Sequence, residues 1–155
     1  MVLATNRLGT ARLEIRSARG FCTPSWTSTT GPPDHADPAP PGLGQLSCYR
    51  IGYVKRGGRF RTPATLAVKD RFSATRVQAL IAGPRLLCLS ANVGGGGSPS
   101  TPTSTAQYVC FAAGPTPTKT PVYDQNEFGA GSVRVGNTEM LCLPSTKKVL
   151  VSPRR

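Results

Sequence analysis

Acidic residues are scarce in this chain, with 7 Asp and Glu against 19 Lys and Arg, for a formal charge of +12. There is one histidine, His35, held between Asp34 and Asp37 in a proline-rich stretch that cannot supply ligands or bases in fixed geometry. With Gly-x-Ser-x-Gly, His-Glu-x-x-His and a phosphate loop all missing, no constellation for acid–base, nucleophilic or metal-assisted catalysis is legible. The glycine run 94–97 lacks the Lys-Ser or Lys-Thr that a phosphate cradle needs. The chain is therefore expected to be non-enzymatic, with no cofactor and no metal. Long apolar runs are missing too: residues 1–19 alternate polar and apolar side chains, unlike a signal peptide or a membrane span. Aromatic residues make up 6% and charged residues 17% of the chain, so any buried core is small.

What the chain does have is turn material and β-formers. The 17 Gly and 15 Pro, with abundant Ser, Thr, Val and Leu, favour short strands over helices. A pattern recurs three times: a polar-polar-apolar turn, a strand-like run, then an apolar residue and a cysteine. The copies are Asn6-Arg7-Leu8-Gly9 leading to Phe21-Cys22, Asp70-Arg71-Phe72-Ser73 leading to Leu87-Cys88, and Asn126-Glu127-Phe128-Gly129 leading to Leu141-Cys142. From the apolar turn residue to the cysteine there are 14 residues in the first and third copies and 16 in the second. Such self-similarity marks a repeat architecture. The expected fold is all-β, with two small disulfide-linked β modules in tandem preceded by part of a third.

The segments follow from composition. Residues 1–30 read as the C-terminal half of a truncated module, with Leu13 and Ile15 at strand spacing and Phe21-Cys22 opening its last strand. Residues 31–44 carry five prolines and form an extended spacer. Residues 45–93 are a β module in which residues 47–55 form the leading strand, Gly57-Gly58 offers a two-residue hairpin turn, and residues 65–68 form a further strand. At Asp70 a carboxylate can accept the N–H two residues on. Residues 74–83 fit a helix through Val77, Leu80 and Ile81, but comparison with the other copies favours a strand over 76–81 with Val77, Ala79 and Ile81 inward; residues 85–90 then close the module. Residues 94–105 are a Gly/Ser/Thr linker, and residues 106–151 are a second β module.

Five cysteines are an odd number, and the repeat accounts for it. Each complete module has a leading and a closing cysteine, so Cys48 is expected to pair with Cys88 and Cys110 with Cys142, whereas Cys22 is a closing cysteine whose partner would lie upstream of Met1. Regular cysteine pairs in small cores fit an oxidising compartment; free buried thiols acting as small apolar residues are the alternative. An extracellular or cell-envelope location is expected, with this chain a fragment of a longer exported parent that carries the signal peptide. A short cytoplasmic protein is the competing account.

The basic charge concentrates in residues 45–93, where 9 cations face 1 anion. Arg50, Lys55, Arg56, Arg59 and Arg61, near Tyr53 and Phe60, are candidate polyanion-binding residues. The charge attracts acidic polysaccharide, nucleic acid or anionic surfaces generically; sequence-specific nucleic-acid binding is not favoured, because the aromatic rings are expected to face the core. Two features carry a resemblance. Cys48-Tyr49-Arg50-Ile51 followed by Val68-Lys69-Asp70-Arg71-Phe72 and Leu87-Cys88, echoed by Leu141-Cys142-Leu143-Pro144-Ser145-Thr146-Lys147-Lys148, resembles a domain of unknown function repeated in tandem in predicted exported bacterial proteins. That family has a Cys-Tyr-Lys opening, an Asp-Gln-Phe-Gly turn and a Leu-Cys-x-Pro exit; Arg71 and Glu127 replace its Gln, Ser73 its Gly and Ser90 its Pro. The resemblance implies a β-rich exported repeat and carries no catalytic residue across. The expected role is a structural or binding repeat module, or alternatively a basic module that binds polyanions.

Overall fold

Two hairpins show how the recurring turn works. Strand β1 (Val2–Asn6) turns into β2 (Gly9–Cys22) with Asn6 opposite Gly9, and β8 (Pro121–Asn126) turns into β9 (Gly129–Arg134) with Asn126 opposite Gly129. Gly9 and Gly129 have φ of 115° and 132°, a conformation that a Cβ strongly disfavours. In the first hairpin the Leu8 N–H donates to Asn6 Oδ1 at 2.9 Å, so the side chain closes the turn two residues on. The equivalent turn at Asp70 lies outside the residues that the computed structural model describes, which are 1–31, 44–69, 76–91, 106–114, 121–126 and 129–150. The spacer at 32–43, with His35, and the linker at 94–105 also fall outside them.

The remaining strands are β3 (Trp26–Ser28), β4 (Gln45–Tyr53), β5 (Ala64–Val68), β6 (Val77–Ala91), β7 (Gln107–Ala113), β10 (Met140–Pro144) and β11 (Thr146–Val149). No helix occurs among the described residues, and none is therefore long and apolar enough to cross a membrane. The fold is all-β and disulfide-linked, with Cys48 bonded to Cys88 and Cys110 to Cys142. A sheet of eight strands runs in the order β10-β7-β6-β4-β2-β1-β11, with β5 branching from β6; β3, β8 and β9 make a second sheet of three. Every pairing is antiparallel.

The large sheet curls until its two edges meet. Its edge strands β10 and β11 are consecutive in the chain, separated by Ser145 alone. The Ser145 N–H donates to the Gln107 carbonyl at 2.9 Å, while the Ser145 Oγ accepts from the Val109 N–H and from Asn6 Nδ2, both at 3.2 Å. One extended stretch thus pairs with β7 through its first half and β1 through its second. Closing a sheet on itself satisfies edge groups that would otherwise invite another chain.

Alternation along these strands fills the interior. Val2, Ala4, Ala11, Leu13, Ile51, Leu66, Ala79, Ile81, Leu87, Val109, Phe111 and Leu143 are buried in one cluster. They come from all three sequence segments, and the ladders β2–β4 and β6–β7 run across the segment boundaries. The modules read from the sequence are thus stretches of one shared sheet and core. Phe60, on the connection between β4 and β5, is 3% exposed and stops this interior with Leu8.

Several local expectations change. Residues 77–81 are extended, with Ala79 and Ile81 buried and Leu80 56% exposed, which settles strand against helix and starts the strand one residue later than expected. They continue without a break through 85–90, so two expected strands are one strand of 15 residues. Cys22 ends β2 rather than lying in a new strand. The turn expected at Gly57-Gly58 is centred two residues earlier on Lys55-Arg56: Gly57 N–H donates to the Val54 carbonyl at 3.1 Å, and Arg56 has φ 58°. The glycines serve close approach instead, since a Cβ at Gly57 would meet Arg12 Cβ at 2.9 Å and one at Gly58 the Thr10 carbonyl oxygen at 3.0 Å.

Candidate anion-binding cleft and the cysteine row

β4 and β6 pair from Gln45–Ala91 to Arg50–Leu86 and then part. Beyond Arg50, β4 stays with β2; beyond Leu86, β6 runs on to pair with β5 and β7. A cleft of about 700 Å³ opens at this fork, with Arg50 and Ile51 from β4 and Pro84, Arg85 and Leu86 from β6 in its lining. Both flanking ladders are irregular here. The β2–β4 register shifts between Ile15 and Ala18 and again before Gly20, and the β6–β7 register shifts on either side of Pro84, which has no N–H to give to a ladder. Such bulges re-aim side chains. On β2 they bring Arg16 and Arg19 into the same lining.

Four arginines, Arg16, Arg19, Arg50 and Arg85, thus contribute to the lining of one cleft, with Glu139 as the carboxylate in its lining. Arg16 lies over Gly52, where a Cβ would come within 2.6 Å of its Nη2, and its Nε donates to Glu14 Oε1 at 2.9 Å. Both partners of that ion pair are exposed, so its worth is in aiming Arg16 rather than in stability. Arginine presents fixed pairs of N–H donors that match phosphate, sulfate and carboxylate oxygens. Cation repulsion among such groups is relieved when an anion binds.

Of the residues singled out in the sequence, Arg50 alone joins this cleft. Lys55 and Arg56 are exposed in the turn after β4. The Arg59 guanidinium lies 5.1 Å from the centroid of the Tyr53 ring, and Arg61 donates through Nη2 to the Arg7 carbonyl at 3.4 Å. Phe60 is buried, as its expected place in the core requires. Arg16, Arg19 and Arg85 carry no sequence signal as a group, since Arg16 and Arg19 belong to the irregular stretch of β2 and Arg85 to β6, and neither stretch records in its sequence that it borders the cleft.

The cleft adjoins a second feature on the same face of the sheet. No family model matches the chain, and neither the curated proteins nor the solved structures contain a match to it. Its own geometry must carry the reading. Arg50, Leu86, Ala112 and Met140 line the cleft, and each stands two residues along its strand from Cys48, Cys88, Cys110 and Cys142 respectively. With Cys22 on β2, five cysteines thus form a row across five successive strands, β2, β4, β6, β7 and β10. Cys48 and Cys88 are directly opposed, as are Cys110 and Cys142, and these are the disulfide pairs. Between the pairs the steps are diagonal: Cys22 opposes Leu46, and Cys88 opposes Tyr108. Even so, Cys22 Sγ lies 3.9 Å from Cys48 Sγ, and Cys88 Sγ lies 3.8 Å from Cys110 Sγ. Cys22 is a free, exposed thiol.

Proposed function

We propose that the chain is a non-enzymatic binding module of an exported protein, and that the arginine cleft takes an acidic polysaccharide. The presence of Arg16, Arg19, Arg50 and Arg85 together in the lining of the cleft at the β4–β6 fork is the observation that carries this reading. Two disulfides in a chain of 155 residues suit an oxidising, extracellular setting, where acidic polysaccharide is the abundant polyanion. The tandem-repeat character and the relation to exported bacterial proteins rest on the recurring turn and its cysteine, and the matching hairpin geometry at Asn6–Gly9 and Asn126–Gly129 supports the first.

Retention on heparin at low salt, compared between two variants, tests the proposal. Arg50→Ser with Arg85→Ser is expected to remove most retention, while Lys55→Ser, Arg56→Ser and Arg59→Ser together leave most of it. Affinity for a defined sulfated oligosaccharide should fall as salt rises, with a slope near one counterion per contact made. Equal losses in both variants would return the charge to a dispersed background. Tighter binding of single-stranded DNA than of the oligosaccharide at matched charge would move the ligand to nucleic acid.

A further inference from the structure

We infer that the five-cysteine row is a thiol–disulfide relay, in which a free thiol moves between Cys22 at one end and Cys142 at the other. The sulfurs lie along a line of adjacent strands, with bonded and non-bonded neighbours alternating: free Cys22, 3.9 Å to Cys48, a bond to Cys88, 3.8 Å to Cys110, and a bond to Cys142. Both non-bonded gaps are close to van der Waals contact. Strand order places each attacking sulfur on the side of its target opposite the leaving sulfur, the side from which displacement at a disulfide proceeds.

The chemistry balances within the chain. The Cys22 thiol gives its proton to solvent, and its thiolate attacks Cys48 Sγ; the Cys22–Cys48 bond forms, the Cys48–Cys88 bond breaks, and the electron pair leaves on Cys88. The Cys88 thiolate then attacks Cys110 Sγ; the Cys88–Cys110 bond forms, the Cys110–Cys142 bond breaks, and Cys142 leaves as a thiolate that takes a proton from solvent. Two disulfides and one thiol exist throughout, so no oxidant or reductant is consumed.

Burial restricts where this exchange opens to the outside. Cys48, Cys88 and Cys110 are 4%, 4% and 1% exposed, while Cys22 and Cys142 are exposed. A solvent reagent therefore meets the relay at its two ends. Moving the thiol shifts a reactive group across five strands and changes which pairs of strands are stapled beside the arginine cleft.

The alternation makes a sharp test, because the relay frees Cys22, Cys88 or Cys142 and never Cys48 or Cys110. The oxidised full chain is held at pH 8 without added thiol and then acidified. Free thiols are alkylated with N-ethylmaleimide in denaturant, and the chain is cut between the cysteines with Asp-N and chymotrypsin. Mass spectrometry is expected to find the label on Cys22 and Cys142, with any remainder on Cys88, together with Cys22–Cys48 and Cys88–Cys110 bridges. The exchange should be faster at higher pH, as thiolate attack requires, and independent of protein concentration. Cys22→Ser should leave Cys142 unlabelled, and blocking Cys22 on the folded chain with N-ethylmaleimide at pH 6.5 should do the same without any substitution. Label confined to Cys22, label on Cys48 or Cys110 at the level of Cys142, or a rate proportional to protein concentration would each overturn the relay.

Discussion

The ring of Phe60 meets the ring of Phe111 edge-on, with centroids 5.2 Å apart and planes at 73°. Phe111 is fully buried on β7, and Phe60 comes from the basic connection between β4 and β5, so this contact ties a cationic surface loop to the centre of the sheet. Aromatic pairs in this geometry add to the burial of their area.

Phe60→Ala should therefore destabilise the fold by about 3–5 kcal/mol, the range for removing a buried phenylalanine. Urea denaturation followed by circular dichroism measures the change. Arg59→Ser, one residue away on the surface, should cost far less. A Phe60→Ala variant as stable as the parent would mean that the loop does not stop the core.

The bridges join cysteines 40 and 32 positions apart in the sequence. By the loop-entropy model, each should contribute about 4 kcal/mol. Replacing Cys48 and Cys88 together by Ala should lower the urea midpoint strongly, and replacing Cys110 and Cys142 should have a similar effect. In a sheet shared by all segments, either loss is expected to broaden or shift a single transition rather than unfold one half alone. Two separate transitions would contradict the common core.

Gly52 and Gly57 separate two uses of a missing Cβ. At Gly52 the clash would be with the mobile guanidinium of Arg16, so Gly52→Ala should displace Arg16 and weaken heparin retention with little change in stability. At Gly57 the clash would be with Arg12 Cβ, close to backbone, so Gly57→Ala should cost about 1–3 kcal/mol, as overpacking does. Thermal melts and heparin elution of both variants distinguish them.

Gly9→Ala and Gly129→Ala place a side chain at φ of 115° and 132°. Each should destabilise by about 1–3 kcal/mol through local backbone strain, although a Cβ at either site meets nothing within 4 Å. Loss of amide-exchange protection should be greatest at the flanking hairpin strands. No effect at both positions would show that these turns relax freely.

The strand content was legible from periodicity, because alternation at Leu13, Ala79 and Ile81 is a local property of the chain. The pairing of Cys48 with Cys88 and Cys110 with Cys142 was legible from the recurring segment, and the glycine at the end of each Asn-x-x-Gly turn has a backbone reason visible in the residue type itself. What only the tertiary structure decided is which strands lie side by side. Hydrogen bonding between strands is alike for nearly any residue, so local sequence does not record that β6 joins β7 or that Ser145 closes the sheet. The arginine cleft and the cysteine row are both consequences of that order. Arg16, Arg50 and Arg85 become neighbours where β4 and β6 part, and Cys22 reaches Cys48 because β2 lies against β4. A charge or a thiol is written in the sequence; the neighbour that gives it a chemistry is set by packing of distant strands around one small core.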